Sequence, residues 1–259
     1  MAQTVAFTVG VGGIYPKFAR LAASCFEACT GVRPFVLGEK EFSKSGYDHP
    51  AALRIDMFKI FDAECVVYFD ADWLCLSRLD LGIIADRPEL LACRDFILNA
   101  DYPRQDNNVL SLDFLGNAIG EAEGDIDYSD IRAEYVDEVA NFNGNSDPAS
   151  RWINTGFMIC NRMRHSSLFE LARHLYLRGL GHHQKYYEQP SIQKAIAIAG
   201  AETSLLARKF NVLSNVEQRW PSTVVGLHVK PHAHPNLLSS LSSYRTPDEA
   251  LHLVRSICL

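Results

Sequence analysis

Apolar positions along this chain fall into two rhythms, and their order outlines an architecture. Thr4 to Val11 is a β-branched, apolar run ending in a Gly-Gly pair, the pattern of a buried strand. From Lys17 to Thr30 the period changes. Phe18, Leu21, Ala22, Cys25, Phe26 and Cys29 form one helical stripe, and Gly31 stops it. Val32 to Leu37 predicts a second short strand. His49 to Ala63 predicts a helix with Leu53, Met57, Ile60 and Phe61 on one face, and Cys65 to Phe69 a fully apolar strand. Such alternation of strand and helix is the signature of a parallel sheet covered on both faces.

Further strands are expected at Leu90 to Cys93, Trp152 to Cys160 and Thr223 to Val229, with helices at Ser167 to Arg178 and Glu188 to Ala199. Thr246-Pro247-Asp248-Glu249 is a capping box with proline at the first helical position, so a last helix should run to about Ile257. Its Leu251 and Val254 are expected to close the core. Asn99 to Pro148 interrupts the alternation. Glu121 to Glu138 carries eight acids against one base, Arg132, and Asn141, Asn143, Gly144 and Asn145 make a turn-rich stretch. The segment reads as an excursion from the sheet, part helix and part loop, its acidic run a solvated face or the wall of an acceptor cleft. The expected division is one α/β domain over residues 1–235 with the excursion at 99–148, and a tail with a closing helix over 236–259.

Candidate chemistry gathers where apolar strands end. Cys65-Val66-Val67-Tyr68-Phe69-Asp70-Ala71-Asp72 brings two carboxylates to the carboxyl end of a buried strand. That edge is where open α/β sheets bind ligands, and a small Ala71 lets the backbone turn so that both acids face one point. Two adjacent anions disfavour each other's ionised form unless a cation lies between them. A hard divalent ion, Mn²⁺ or Mg²⁺, sharing its coordination with substrate phosphates fits this donor set. The plainer alternative is that Asp70 and Asp72 only end the strand and cap its turn.

Trp152 to Cys160 is an apolar strand interrupted by Asn154-Thr155-Gly156. An unpaired buried amide costs about 1–3 kcal/mol, so Asn154 is expected to have a polar partner. That partner is a ligand, or the backbone at a bulge made by Gly156. Tyr187-Glu188-Gln189-Pro190 places an acid and an amide at a helix start. Val224 to Lys230 ends in His228 and Lys230, two apart, which point the same way on an extended strand.

Composition narrows the classes. The 259 residues are 47% hydrophobic and 22% charged, ordinary for a globular chain and unlike a disordered or collagen-like one. A formal net charge of -6 opposes nucleic acid as the main partner, because phosphate neutralisation needs a basic surface. No apolar run approaches the roughly 20 residues of a transmembrane helix, and the start lacks the pattern of a secretory signal. The expected compartment is the cytoplasm, with peripheral membrane contact left open. The seven cysteines are scattered and read as reduced thiols acting as small hydrophobes; Cys25 and Cys29 are too far apart for a CxxC motif.

Taken in order, Asp70-Ala71-Asp72, Asn154-Thr155-Gly156, Phe210-Asn211, Glu188-Gln189 before it, and His228-Val229-Lys230-Pro231 carry a resemblance. The sequence resembles the GT-A glycosyltransferases of the glycogenin and bacterial lipopolysaccharide galactosyltransferase type, family 8, over residues 3–232. That resemblance implies a Rossmann-like mixed sheet flanked by helices. It also implies manganese-dependent transfer of a hexose from a nucleotide-diphosphate sugar, UDP-galactose or UDP-glucose, to a saccharide, glycolipid or protein hydroxyl with retention. Carried over by position, Asp70, Asp72 and His228 hold the metal and Lys230 neutralises the leaving diphosphate. Asn154, Glu188 and Gln189 line the sugar pocket, with the Gln189 amide beside the reacting carbon. The first strand and helix meet the nucleotide, which places Val9 and Tyr15 there together with Ala71; Lys59 falls near a recurrent basic position.

The chain departs from the family in having Glu188 for aspartate, a His-Lys pair only two apart, and His232 where tryptophan often follows Lys-Pro. These departures bear on sugar identity more than on reaction class. A haloacid-dehalogenase-type phosphatase also begins with an apolar strand and DxD, but wants Thr or Val at the position of Leu74. A sugar-nucleotide uridylyltransferase would carry an arginine in the Gly10 to Gly13 loop. A GT-A-like domain that binds a sugar nucleotide or glycan without turnover is the non-enzymatic alternative, and it gains if His228 cannot reach the two aspartates.

Overall fold

A computed structural model describes residues 3–82, 88–94, 108–112, 118–122, 153–179, 188–214, 223–231 and 234–258. Strand β1 (Thr4–Val9) leads through Gly10 to Gly13 into helix α1 (Tyr15–Thr30), and β2 (Phe35–Leu37) and α2 (Glu39–Ser45) follow. Gly10 permits the tight strand-to-helix approach, since a Cβ there would lie 2.6 Å from the Ala19 Cβ. A 3₁₀ helix (Pro50–Asp56) and α3 (Met57–Ile60) precede β3 (Cys65–Phe69) and β4 (Trp73–Cys75). Next come β5 (Leu90–Arg94), β6 (Asn108–Leu112), β7 (Ala118–Ala122), β8 (Ile153–Asn161), α4 (Arg162–Leu177), α5 (Gln189–Ala199) and β9 (Thr203–Leu206). Strands β10 (Val212–Leu213) and β11 (Gly226–His228) and helices α6 (Pro235–Ser239) and α7 (Pro247–Cys258) complete the described chain.

Among the described residues the main sheet runs β2-β1-β3-β8-β5-β9-β6-β7. The parallel expectation holds for β2, β1 and β3, but β8 inserts antiparallel between β3 and β5, so the sheet is mixed. Period-2 alternation then builds two apolar layers. Cys65, Val67 and Phe69 of β3 face α1 and α7, whereas Val66 and Tyr68 face the 3₁₀ helix, α4 and α5. Phe26 stacks on Phe69 at 4.6 Å and Trp73 on Phe157 at 4.4 Å. Each fully buried ring of this kind contributes about 1.5–3 kcal/mol.

Several elements differ from the sequence pattern. The helix expected over His49 to Ala63 is a 3₁₀ turn followed by one short α-turn. The tighter winding carries Ile60 out of the apolar face, where it is 36% exposed, while Leu53 and Met57 stay buried. The strand expected over Thr223 to Val229 pairs only at Gly226–His228, and α2, β4, β9 and β10 were not expected. Within the 99–148 segment the described part is the β6–β7 hairpin, which extends the sheet beside β9 instead of leaving it. The remainder, including residues 123–138, lies outside the described residues.

The last helix forms as the capping box predicts. Thr246 Oγ1 accepts from the Glu249 N–H at 3.2 Å, and Ala250 and Val254 are buried against α1. Six of the seven cysteines are buried in the two apolar layers or the adjoining β4. Among the described residues no helix is long and apolar enough to cross a membrane.

Candidate active site

The carboxyl end of β3 makes a turn that the backbone closes on itself. Asp70 N–H donates to the Gly156 carbonyl at 2.8 Å, and Trp73 N–H returns to the Asp70 carbonyl at 3.0 Å. The chain leaves as β4, which pairs antiparallel with β11 so that Trp73 faces His228 in register. Val229 N–H donates to the Asp72 carbonyl at 2.8 Å and locks that register beside the turn. Two strands remote in sequence therefore deliver three ligand-type side chains to one place. Among the described residues, Asp70, Asp72 and His228 are the group whose ligand atoms all lie within 4.8 Å of one another.

His228 Nε2 lies 3.2 Å from Asp72 Oδ1 and 3.8 Å from Asp70 Oδ2. Its Nδ1 faces Asn211 Oδ1 at 3.3 Å, which fixes the ring when Nδ1 carries the proton and leaves Nε2 as the ligand atom. Burial opposes charging of this imidazole. The carboxylates of Asp72 and Asp70 outweigh it and raise the pKa above the ordinary histidine value. Asn211 follows the 3₁₀ turn Arg208–Phe210, whose Phe210 carbonyl accepts from Trp73 Nε1 at 2.9 Å.

Gly156 lies against this group. A Cβ there would stand 2.7 Å from Asn154 Oδ1, 2.9 Å from His228 Cε1 and 3.0 Å from Asp70 Oδ2. Two carboxylates and one imidazole around a cradle that a single methyl would fill suit a hard divalent cation. Gly156→Ala is expected to weaken Mn²⁺ binding by about 10–100-fold, the effect of misplacing ligand groups. Mn²⁺ titration followed by electron paramagnetic resonance reads this, and an unchanged affinity would show that Asp70 and His228 do not bind the ion together.

Behind the three residues lies a buried charge network that the sequence did not reveal. Arg54, 4% exposed, sits on the 3₁₀ helix and uses every nitrogen of its guanidinium. NH2 donates to Asp70 Oδ1 at 2.6 Å, and NH1 to the Thr155 carbonyl at 2.7 Å and Oγ1 at 2.8 Å. Nε lies 3.0 Å from both the Ala51 carbonyl and Glu188 Oε1. The Tyr68 hydroxyl donates to the same Asp70 oxygen at 2.5 Å, and its ring lies under the guanidinium at 4.2 Å. Asp70 is thus held through Oδ1, and Oδ2 faces His228. Burial would lower the Arg54 pKa, but Asp70 and Glu188 raise it; burial raises that of Glu188 against the opposing pull of Arg54.

The remaining expected residues divide. Glu188 and Gln189, at the start of α5, both reach Thr155. Its Oγ1 lies 3.3 Å from Glu188 Oε1 and from Gln189 Oε1, and its N–H donates to Gln189 Oε1 at 3.3 Å. Asn154 Oδ1 accepts from the Gly156 N–H at 2.9 Å. The β5 register jumps there from Ala92↔Met158 to Cys93↔Asn154, so one of its partners is backbone at a bulge. Val9 ends β1, parallel to β3 and at the same sheet edge, and half-exposed Tyr15 begins α1. Lys230 is exposed two residues beyond β11. Lys59 is also exposed, and its ammonium lies 3.7 Å from Asp56; the structure brings Arg54, five residues earlier, to Asp70.

No protein-family model matches the chain, and no curated protein matches it either. Solved structures do. A galactosyltransferase, LgtC, solved in complex with donor and acceptor sugar analogues, superposes with a TM-score of 0.54 at 12% identity, over 98% of this chain and 96% of that one. The apo bifunctional glycosyltransferase WbbM gives 0.53 at 11% identity, covering 99% of this chain and 50% of its own. The apo glycosyltransferase GlyE of Streptococcus pneumoniae TIGR4 gives 0.51 at 11%, covering 99% and 64%. The chain therefore has the fold of the GT-A glycosyltransferases.

Proposed function

We propose that this chain is a metal-dependent glycosyltransferase that moves a hexose from a nucleotide-diphosphate sugar, UDP-galactose or UDP-glucose, to a hydroxyl of a saccharide, glycolipid or protein acceptor. The observation that carries this reading is the convergence of Asp70, Asp72 and His228 at the carboxyl edge of β3. His228 reaches the aspartate pair, the feature that separates this reading from a binding-only domain. Asp70 Oδ2, Asp72 and His228 Nε2 would hold Mn²⁺ or Mg²⁺. The ion would supply charge stabilisation to the departing diphosphate.

The chain's own groups do the rest. Lys230, beyond the ligand strand, adds a second positive charge for the diphosphate. Val9 and Tyr15 border the nucleotide at the shared sheet edge. Asn154, Glu188 and Gln189 line the sugar side, with the Gln189 amide beside the reacting carbon and the configuration retained. The acceptor is bound on the side of the 99–148 segment. The protein works in the cytoplasm, where sugar nucleotides are available.

Calorimetric titration of UDP into the protein tests this reading. Binding is expected with Mn²⁺ present and is expected to vanish in EDTA, and incubation with a UDP-hexose should release free hexose slowly. Binding indifferent to metal would leave a nucleotide site without the proposed metal role. No binding in any condition would sink the reading.

A further inference from the structure

Strands β2, β1 and β3 run parallel, so their carboxyl ends share one edge of the sheet. Register fixes their level. Phe7 pairs with both Phe35 and Tyr68, so Val9, Leu37 and Asp70, each two residues further on, come side by side at that edge. Neighbouring strands lie about 4.8 Å apart, which sets the end of β2 roughly 10 Å from Asp70. Along the edge the metal-ligand group at β3 comes first, then β1, then β2.

Glu39 stands at the β2 end. It begins α2 just past Leu37, is exposed, and reaches across to the β1–α1 turn, where its Oε1 accepts from the Gly12 N–H at 2.9 Å. Capping of α2 does not account for this reach, because Glu41 Oε2 takes the Gly38 N–H at 2.9 Å. The turn itself, Gly10-Val11-Gly12-Gly13, brings no polar side chain. Gly12 and Gly13 hold φ of 76° and 51°, and a Cβ on either would meet nothing within 4 Å, so the turn is open above them. Half-exposed Tyr15 joins the same turn, its N–H donating to the Gly12 carbonyl at 3.1 Å.

On the nucleotide-sugar reading above, on which this assignment rests, we propose that Glu39 reads the base of the nucleotide and selects uridine over cytidine. A nucleotide whose diphosphate meets Asp70, Asp72 and His228 carries its ribose and base away from the metal. Phosphate, ribose and base then fall over β3, β1 and β2 in turn, which brings the base to Glu39. An ionised carboxylate only accepts hydrogen bonds, and of its roughly four lone-pair sites Gly12 takes one. Uracil offers it the N3–H. Cytosine turns a bare N3 lone pair to the same place, and two acceptors repel. The Tyr15 ring gives the base an apolar face beside that carboxylate.

The test is calorimetric titration of UDP and of CDP, each with saturating Mn²⁺, into wild type, Glu39→Gln and Glu39→Ala. Wild type should bind UDP at least about tenfold tighter than CDP, the effect of one hydrogen bond to a charged group. Glu39→Gln should abolish that preference, because its amide can donate to the cytosine N3. Glu39→Ala should abolish it by weakening UDP. Mn²⁺ affinity, read by electron paramagnetic resonance, should be unchanged in both variants, since Glu39 lies outside the metal-ligand group. Variants that keep the wild-type preference, or wild type that binds UDP and CDP alike, would overturn the assignment and leave the nucleotide site standing. If wild type discriminates against 2′-deoxy-UDP and Glu39→Ala does not, Glu39 belongs to the ribose and the base assignment falls. Wild type that binds no nucleotide would overturn it together with the reading beneath it.

Discussion

Arg54→Ala is expected to destabilise the protein by about 3–5 kcal/mol, the usual result of removing one partner from a buried ion pair. The reason is what remains. Asp70 Oδ1 and Glu188 Oε1 lose their cation and the Thr155 carbonyl loses a donor, with Glu188 and Thr155 buried and Asp70 partly so. A fall in Tm of roughly 10 °C should accompany this in a chain of this size. Arg54→Lys should recover only part of the loss, because one ammonium cannot reproduce a fork that bonds five acceptor atoms on different elements. Adding Glu188→Gln to Arg54→Ala should cost less than the sum of the single changes, with a coupling of about 0.5–3 kcal/mol. Thermal denaturation of the four proteins checks this. A single Arg54→Ala variant within about 0.5 kcal/mol of wild type would mean that the network does not hold the 3₁₀ helix to β3 and α5.

Asp72→Asn should behave in the opposite way, with large functional loss and little structural loss. The amide keeps the shape of the turn, because the hydrogen bond from the Val229 N–H is accepted by the Asp72 main-chain carbonyl. Removing one of two neighbouring carboxylates also relieves their repulsion in the metal-free protein. Its melting temperature should therefore stay within the equivalent of about 1 kcal/mol of wild type. Mn²⁺ at a hundred times its dissociation constant should stabilise wild type by about 2.7 kcal/mol and Asp72→Asn hardly at all. Metal-dependent UDP affinity should fall at least about a hundredfold, beyond what loss of an outer partner costs. An Asp72→Asn protein with wild-type Mn²⁺-dependent UDP binding would remove Asp72 from the metal site.

These two expectations also mark how much of the site was legible. Asp70 and Asp72 could be found because a strand that is apolar at every position ends in two acids, and burial on both faces leaves no other reading of Cys65–Phe69. His228 ends another apolar run, but it was one of three nearby histidines with His232 and His234, and the family resemblance singled it out. Arg54 could not. It lies inside an apolar stretch that scans as an ordinary helix face, and its role depends on Thr155, 101 residues away, and on Glu188 beyond that. A lone arginine between Leu53 and Ile55 was the available hint of a buried charge. Asn211 was visible as part of Phe210-Asn211, but its hold on the His228 ring needed β10 and β11 to be brought side by side.

Local chemistry was enough for the elements with strong periodicity, namely β1, α1, β3, the capped α7 and the order of the chemical motifs, because hydrophobic period and caps act within a few residues. Long-range packing chose the rest. The antiparallel placement of β8 between β3 and β5, the bulge that sets Gly156 against Asp70 and Thr155 against Arg54, and the 3₁₀ winding that turns Arg54 inward each satisfy partners far away in sequence. Their cause is the requirement that buried backbone groups and charges find partners, and no window of a dozen residues contains those partners.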